Sequence, residues 1–116
     1  MRKYHIAFLF IVLLTMGSVW AGVAGDWDVI AETSWGETYH LTLTLADDGG
    51  KITGSLLTPE GRTDLENVKL EGNTLTFEVW VAGSSYTIKA EVGENEMNGT
   101  WSGGGDNGTV KAKRKS

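Results

Sequence analysis

The residues best suited to chemistry in this chain are aromatic side chains that carry a hydrogen-bonding group. Such side chains bind flat or apolar ligands, because the ring supplies contact area while the hydroxyl or indole N–H sets the orientation. The candidates are Trp35, Tyr39, Tyr86 and Trp101. Arg62 and Asp106 could add polar contacts from neighbouring loops. The alternative is that these aromatic side chains only fill the interior of a small domain.

Residues arranged for catalysis are nearly absent. His40 is the only histidine after the first 21 residues, and the chain contains no cysteine. A nucleophile would therefore have to be a serine, and no base can be assigned near Ser34, Ser84 or Ser85. We predict that the protein is not an enzyme.

Two acidic segments have the residue types of a calcium site, at residues 47–50 and 94–96. Their spacing fits no EF-hand loop, and acidic residues beside glycine or asparagine are typical of turns. We predict no metal site and no cofactor. Two Asn-Gly-Thr sequons, at Asn98 and Asn107, are interpreted as strand and hairpin residues, with a type I′ turn at Asn107-Gly108.

The candidate binding residues must be positioned by β-strands, because apolar and polar residues alternate from Tyr39 to Arg114 in short runs. Period-two alternation indicates strands with one buried face. We predict an all-β fold of eight strands, at residues 26–32, 38–46, 51–58, 64–71, 74–82, 85–92, 97–103 and 108–115. The fourth strand changes phase between Leu65 and Val68, which indicates a β-bulge at Glu66-Asn67.

Eight consecutive antiparallel strands can close into an up-and-down (meander) barrel, which removes the exposed edges of the sheet. Charge favours closure, since Asp26 and Asp28 on the first strand would face Lys111 and Lys113 on the last. A two-sheet sandwich is the competing architecture, but the sequence has no long crossover. A membrane barrel needs an apolar outward face, whereas that face here carries threonine, serine, glutamate and lysine.

Small residues on the inward face have two interpretations. Parity places Gly54, Gly99, Ala90 and Ala112 inward. They either leave room for a cavity or allow the sharp coiling of a narrow barrel, and for the glycines we favour coiling.

The connections between strands predict one sealed end and one open mouth. The even-numbered connections are short hairpins, at residues 47–50, 72–73 and 93–96. The odd-numbered ones are longer and more varied, at residues 33–37, 59–63, 83–84 and 104–107. By parity Tyr39, Tyr86 and Trp101 point inward near the mouth, and Trp35 lies in the first mouth loop.

Trp80 differs from the other aromatic residues because parity places it outward near the mouth, beside Glu78. An outward tryptophan has an unfavourable solvation energy unless something covers it. Trp80 is therefore a candidate contact with another protein, unless the loop that holds Trp35 shields it.

A short sequence pattern at the two ends of the predicted barrel domain resembles that of a known family. Gly25-Asp26-Trp27 opens the first strand, and Arg114 lies near the end of the last. The pattern resembles the lipocalin and wider calycin group, in which a Gly-x-Trp tryptophan plugs the closed end of the barrel and a basic residue packs across it. The resemblance implies structural roles for Trp27 and Arg114. The short sequences Thr-Gly-Ser at residues 53–55 and Asn-Gly-Thr-Trp at residues 98–101 also resemble those of small lipocalin-like domains in secreted bacterial proteins.

The first 21 residues have the layout of a secretory signal peptide, and residues 22–116 follow as one barrel domain. A basic start precedes an apolar run at residues 6–16, and small residues favour cleavage after Ala21, with Ala24 as the second choice. The run is shorter than the ~20 residues that span a membrane, so we expect no anchor after cleavage. The lack of cysteine favours a bacterial periplasm or an extracellular location.

Charge excludes one class of partner. Residues 22–110 carry 15 acidic and 4 basic residues, whereas nucleic-acid binding needs a basic surface. We therefore expect a non-catalytic exported barrel that binds a small apolar or aromatic ligand at its mouth. The alternative is a filled barrel that acts as an interaction or inhibitor module, in which Trp80 and the mouth loops contact an envelope or extracellular protein.

Overall fold

The computed structural model describes residues 22–115, so the predicted signal peptide lies outside the described residues. Within this range the chain forms nine antiparallel strands and no helix. The strands are β1 (Gly25–Thr33), β2 (Thr38–Asp48), β3 (Lys51–Thr58), β4 (Gly61–Asp64), β5 (Glu66–Glu71), β6 (Thr74–Val81), β7 (Ser84–Val92), β8 (Glu96–Gly103) and β9 (Asp106–Arg114).

The sheet closes through its first and last strands, as predicted. β1 pairs antiparallel with both β2 and β9, and the remaining strands follow an up-and-down order. Asp28 lies opposite Lys113, and the Lys115 ammonium is 3.6 Å from the Asp28 carboxylate. The second predicted acid–lysine pair does not form, because Lys111 lies opposite Ile30.

The predicted fourth strand is two strands, which makes nine rather than eight. β4 pairs only with β3 and β5 only with β6, so these two strands are the ends of the sheet order. Between them the Leu65 N–H donates to the Gly54 carbonyl at 3.0 Å. β3 contacts β5 and β4 contacts β6 across this seam, so the barrel is nearly closed. The predicted bulge is confirmed by a register shift between Glu66 and Lys69, with Asn67 at a φ of 50°.

Inward glycines allow neighbouring strands to approach closely, as predicted. A Cβ placed on Gly54 would overlap the Thr44 carbonyl oxygen, and one on Gly99 would lie 2.6 Å from the Ala90 Cα. Neither glycine lines an open space, and the overlapping atoms belong to backbone that is held in the ladder. Such close approach is what permits strong coiling in a narrow barrel.

The hairpin between β8 and β9 turns at Gly104-Gly105, so the predicted turn at Asn107-Gly108 is wrong. Gly103 pairs with Asp106, and Gly104 and Gly105 have φ values of 61° and 79°. A type I′ turn needs positive φ at both central residues, which two consecutive glycines adopt without a steric penalty. Asn107 and Gly108 therefore lie inside β9, which begins two residues earlier than predicted.

The sealed end is built around Trp27, whose side chain is fully buried. Its indole N–H donates to the Val23 carbonyl at 3.1 Å, and the Arg114 guanidinium lies 4.3 Å from the ring centroid. Arg114 also donates to the carbonyls of Gly22 and Ala24. The segment before β1 is thereby tied across the end of the barrel, which is the arrangement that the Gly-x-Trp resemblance implies for Trp27 and Arg114.

Candidate ligand cavity

A cavity of about 420 Å³ opens at the end of the barrel where the connections after β1, β3, β6 and β8 lie, which is the predicted mouth. Small-molecule sites typically have volumes of about 300–1,000 Å³. All strands except β4 and β5 contribute to the lining. The lining residues with large aliphatic, thioether or phenyl side chains are Val29, Leu41, Leu43, Leu56, Phe77, Val79, Val81, Ile88, Met97 and Val110. The cavity thus has the size and the apolar character of a small-molecule site.

Small alanine side chains contribute to the open space, whereas the inward glycines Gly54 and Gly99 do not line it. Ala31, Ala90 and Ala112 line the cavity from β1, β7 and β9. Their methyl groups stand where larger side chains would otherwise meet in the centre of the barrel. Toward the sealed end Trp27 and Leu75 are fully buried and lie outside the lining. The open volume therefore reaches from the mouth to Met97 and Ala112 and ends before Trp27 and Leu75.

The structure brings the four predicted aromatic residues, Trp35, Tyr39, Tyr86 and Trp101, together in the cavity lining. Tyr86 and Trp101 pack edge to face, with ring centroids 5.8 Å apart. The Trp101 indole N–H donates to the Glu32 carbonyl at 3.2 Å, which holds this ring in place. The rings thus form one wall of the mouth with a defined geometry.

Asp106 fixes the position of Trp35. The Asp106 carboxylate accepts hydrogen bonds from the Ser34 hydroxyl at 2.8 Å, the Trp35 indole N–H at 2.7 Å and the Asn107 N–H at 2.7 Å. These bonds favour the charged carboxylate, and the Ser34 bond contributes most to lowering the pKa of Asp106. Ser34, Trp35 and Asp106 form a latch, named here the Trp35 latch, which joins the first mouth loop to β9.

Tyr39 is fixed in a similar way by its own loop. Its hydroxyl donates to the Glu37 carboxylate at 2.6 Å, and this bond is the main cause of the raised pKa of Tyr39. The Glu37 N–H in turn donates to the Thr33 hydroxyl at 2.8 Å. Tyr39 remains 40% exposed and lines the cavity at its mouth.

Arg62 does not reach the cavity, contrary to the prediction. It lies in β4 opposite Leu57, and its guanidinium is 3.3 Å from the Ser55 hydroxyl on the outer face. Pro59 and Glu60 line the mouth from this connection, and Glu60 is the charged one. The sequence alone does not single out Glu60. Glu60 could have been found only if β4 had been recognised as a strand. The connection between β3 and β4 is then the two-residue turn Pro59-Glu60, which places Glu60 at the mouth.

Trp80 lies outward on β6, opposite Ser85, and is 54% exposed. The Trp35 loop does not shield it, since the Trp35 side chain is bound to Asp106. Trp80 is absent from the cavity lining. It belongs to the outer wall, on the strand that faces β4 across the seam.

Further observations on residues 22–115 concern the acidic side chains and the helix content. Within residues 22–115 no three acidic or histidine side chains are grouped to hold a metal ion. Asp47 accepts the Gly50 N–H at 2.8 Å, which makes the first acidic segment a capped turn. No helix in the described part of the chain is long and apolar enough to cross a membrane.

Comparison with solved structures identifies the class of fold as a β-barrel. A redesigned β-barrel superposes with a TM-score of 0.66 at 9% identity, covering 84% of this chain and 95% of that one. A de novo designed fluorescence-activating β-barrel superposes with a TM-score of 0.59 at 16% identity, covering 79% and 93%. No protein-family model and no curated protein matches the sequence. The similarity therefore concerns the fold alone.

The Trp35 latch gives a prediction that depends on pH. Because the folded state lowers the pKa of Asp106 below its ordinary value of 3.8, the latch is complete above that value. Its contribution is lost as pH falls through the folded-state pKa. We expect the Trp35 indole N–H signal in NMR spectra to lose protection from exchange only at the acid end of the titration, whereas Asp106→Asn weakens that protection severalfold at neutral pH.

The Trp101 indole N–H is an internal control for this titration, because it donates to a backbone carbonyl rather than to a carboxylate. The Trp101 indole N–H should stay equally protected from exchange in the wild-type and Asp106→Asn proteins, at neutral pH and at the acid end of the titration. Equal protection of Trp35 in the wild-type and Asp106→Asn proteins would contradict the latch.

Proposed function

We propose that this protein is an exported, lipocalin-like barrel that binds a small apolar or aromatic ligand in the cavity and catalyses no reaction. The observation that carries the proposal is a cavity of about 420 Å³ that opens at the mouth beside four aromatic side chains. Removal of apolar ligand surface from water contributes roughly 25 cal/mol per Å². An apolar lining therefore supplies affinity, while the rings restrict the shape of what is bound.

Three further observations support the proposal. Trp27 and Arg114 close the other end in the manner of the Gly-x-Trp barrels that the sequence resembles. One structural neighbour is a barrel designed for fluorescence activation, which supports the proposal at the level of the fold. The signal-peptide layout of residues 1–21 supports export to a periplasm or to the medium.

Filling the cavity tests the proposal. We expect the neutral dye N-phenylnaphthylamine to bind the mature protein with a rise in its fluorescence. The double variant Ala31→Leu/Ala112→Leu should weaken this binding at least about tenfold, because the added methylenes occupy the space that the ligand would fill.

The matched control is Ala46→Leu, since Ala46 is exposed on the outer face of β2. It should leave the dye affinity unchanged, and circular dichroism should show the same fold in all three proteins. Dye binding that survives in the double variant, or no binding to the wild-type protein, would refute the proposal.

One observation favours a second candidate function, a protein-interaction or inhibitor module. Trp80 is 54% exposed on the outer wall of the described barrel, and tryptophan is enriched in binding hot spots. In this case Trp80→Ala should abolish capture of an envelope or extracellular protein while leaving dye binding unchanged. Capture that persists in Trp80→Ala would exclude this surface.

A further inference from the structure

The charged groups at the mouth all have the same sign. Glu60 and Asp106 are the charged residues that line the cavity. A third carboxylate, that of Glu37, lies 2.6 Å from the hydroxyl of the lining residue Tyr39. The hydrogen bonds to Asp106 lower its pKa, so this group stays ionised at neutral pH. The entrance to the cavity is therefore negatively charged.

The basic side chains lie elsewhere in the described part of the chain. Arg62, the nearest to the mouth in sequence, points away from the cavity toward Ser55. At the opposite end of the barrel Arg114 packs on Trp27, and Lys115 lies beside Asp28. An anionic head group at the mouth would thus find three carboxylates and no cation to neutralise it.

Aromatic faces and carboxylates together are the chemistry that recognises an organic cation. A cation over the face of tryptophan or tyrosine is attracted by the ring quadrupole. Trp35 is 66% exposed and Tyr39 is 40% exposed, and the polar group at the edge of each ring is hydrogen-bonded to a carboxylate. Their faces therefore remain available at the entrance, beside negative charge.

We propose that the ligand of this cavity is an amphiphilic organic cation. Its apolar part lies among the inward side chains, and its ammonium group lies at the mouth between Glu60, the Trp35 latch and the Tyr39 ring. This inference rests on the proposed function, since it specifies the ligand class of the same cavity. It also predicts that fatty-acid-like anions bind poorly, although their tails suit the apolar lining equally well.

A set of three probes with the same tail tests the inference: decyltrimethylammonium, decanol and decanoate, each below its micelle-forming concentration. Displacement of N-phenylnaphthylamine measures their affinities. We expect the cation to bind about tenfold more tightly than the alcohol, and decanoate to bind most weakly. Glu60→Gln should lower the affinity for decyltrimethylammonium about threefold and leave the affinity for decanol unchanged.

The matched control is Glu71→Gln, which removes the same charge at the sealed end, where Glu71 is exposed beside the hairpin of β5 and β6. It should leave the ratio of cation to alcohol affinity unchanged. An equal loss of cation affinity in Glu71→Gln and Glu60→Gln would overturn the inference, because general charge attraction would then explain the preference.

The failures of the two proposals are distinguishable. If N-phenylnaphthylamine does not bind the wild-type protein, both proposals fail. If the dye binds and none of the three probes displaces it, the inference about an amphiphilic cation fails and the cavity function stands. If decanol binds as tightly as the cation, or decanoate binds most tightly, the inference about charge is wrong and the cavity function stands. All specific binding should be lost in Ala31→Leu/Ala112→Leu.

Discussion

Replacing Trp27 by alanine is expected to lower the free energy of unfolding by about 3–5 kcal/mol. The side chain is fully buried, its indole N–H bonds the Val23 carbonyl, and Arg114 packs on its face. Its removal leaves a void at the sealed end and frees the segment before β1. Urea denaturation followed by circular dichroism measures the loss, and Trp27→Phe, which keeps most of the packing, should lose less.

Trp80→Ala is the matched control, because it makes the same substitution on the outer wall, where the side chain is 54% exposed. Surface substitutions of this kind usually change stability by no more than about 0.5 kcal/mol. Similar losses in Trp27→Ala and Trp80→Ala would contradict the assignment of Trp27 as the plug of the closed end.

The second large effect is expected for Gly99→Ala, with a loss of about 3 kcal/mol in the free energy of unfolding. The new methyl group would overlap the Lys89 carbonyl oxygen and lie 2.6 Å from the Ala90 Cα. Both atoms belong to the backbone of β7, so relief requires separating two paired strands. Equilibrium denaturation in urea measures the change.

Gly93→Ala gives the comparison for this prediction. Gly93 is outside the left-handed region, and an added Cβ would meet only the Glu96 carbonyl oxygen, at 3.3 Å. We expect a loss below about 1 kcal/mol, since Glu96 is the first residue of β8 and its carbonyl can move by a few tenths of an ångström. If Gly99→Ala were as mild as Gly93→Ala, close strand approach would not explain the inward glycines.

The wall of the barrel could be predicted from the sequence because strand parity is a local property. Successive side chains of a strand point to opposite faces of the sheet, so apolar residues at every second position, such as Leu41, Leu43 and Leu45, share the buried face. The pairing of β1 with β9 was also predictable, since Asp28 and Lys113 carry opposite charges. These features depend on neighbouring residues or on one simple pairing rule.

The wrong predictions concern places where two nearby sequences suit the same local structure and the backbone geometry of the whole sheet selects one of them. Gly104-Gly105 and Asn107-Gly108 both suit a tight turn, and the register of β8 with β9 selects the first. Arg62 was expected in a mouth loop, but the chain forms β4 there and parity turns the side chain outward. The extent of the cavity also depends on how tightly the strands coil, which no single residue reveals.

The aromatic residues of the mouth could be predicted as a group, but their bonding could not. The sequence shows that Trp35 and Asp106 occupy mouth connections, and only the folded structure shows that one carboxylate bonds both Ser34 and Trp35. Asp106 was predicted to contact the ligand by itself. In the structure its carboxylate instead accepts the Trp35 indole N–H and fixes the position of that ring. Glu60 was missed because its role depends on the length of a turn.

The most direct test of the account is a map of where a bound ligand touches the barrel. Methyl NMR spectra of the labelled protein, recorded with N-phenylnaphthylamine, should show intermolecular contacts to the inward residues Val79, Ala90 and Val110. The outward residues Ile30 and Leu57, which are 44% and 43% exposed, should show none. Contacts confined to the outward methyl groups, with the inward signals unchanged, would contradict a ligand site inside the barrel.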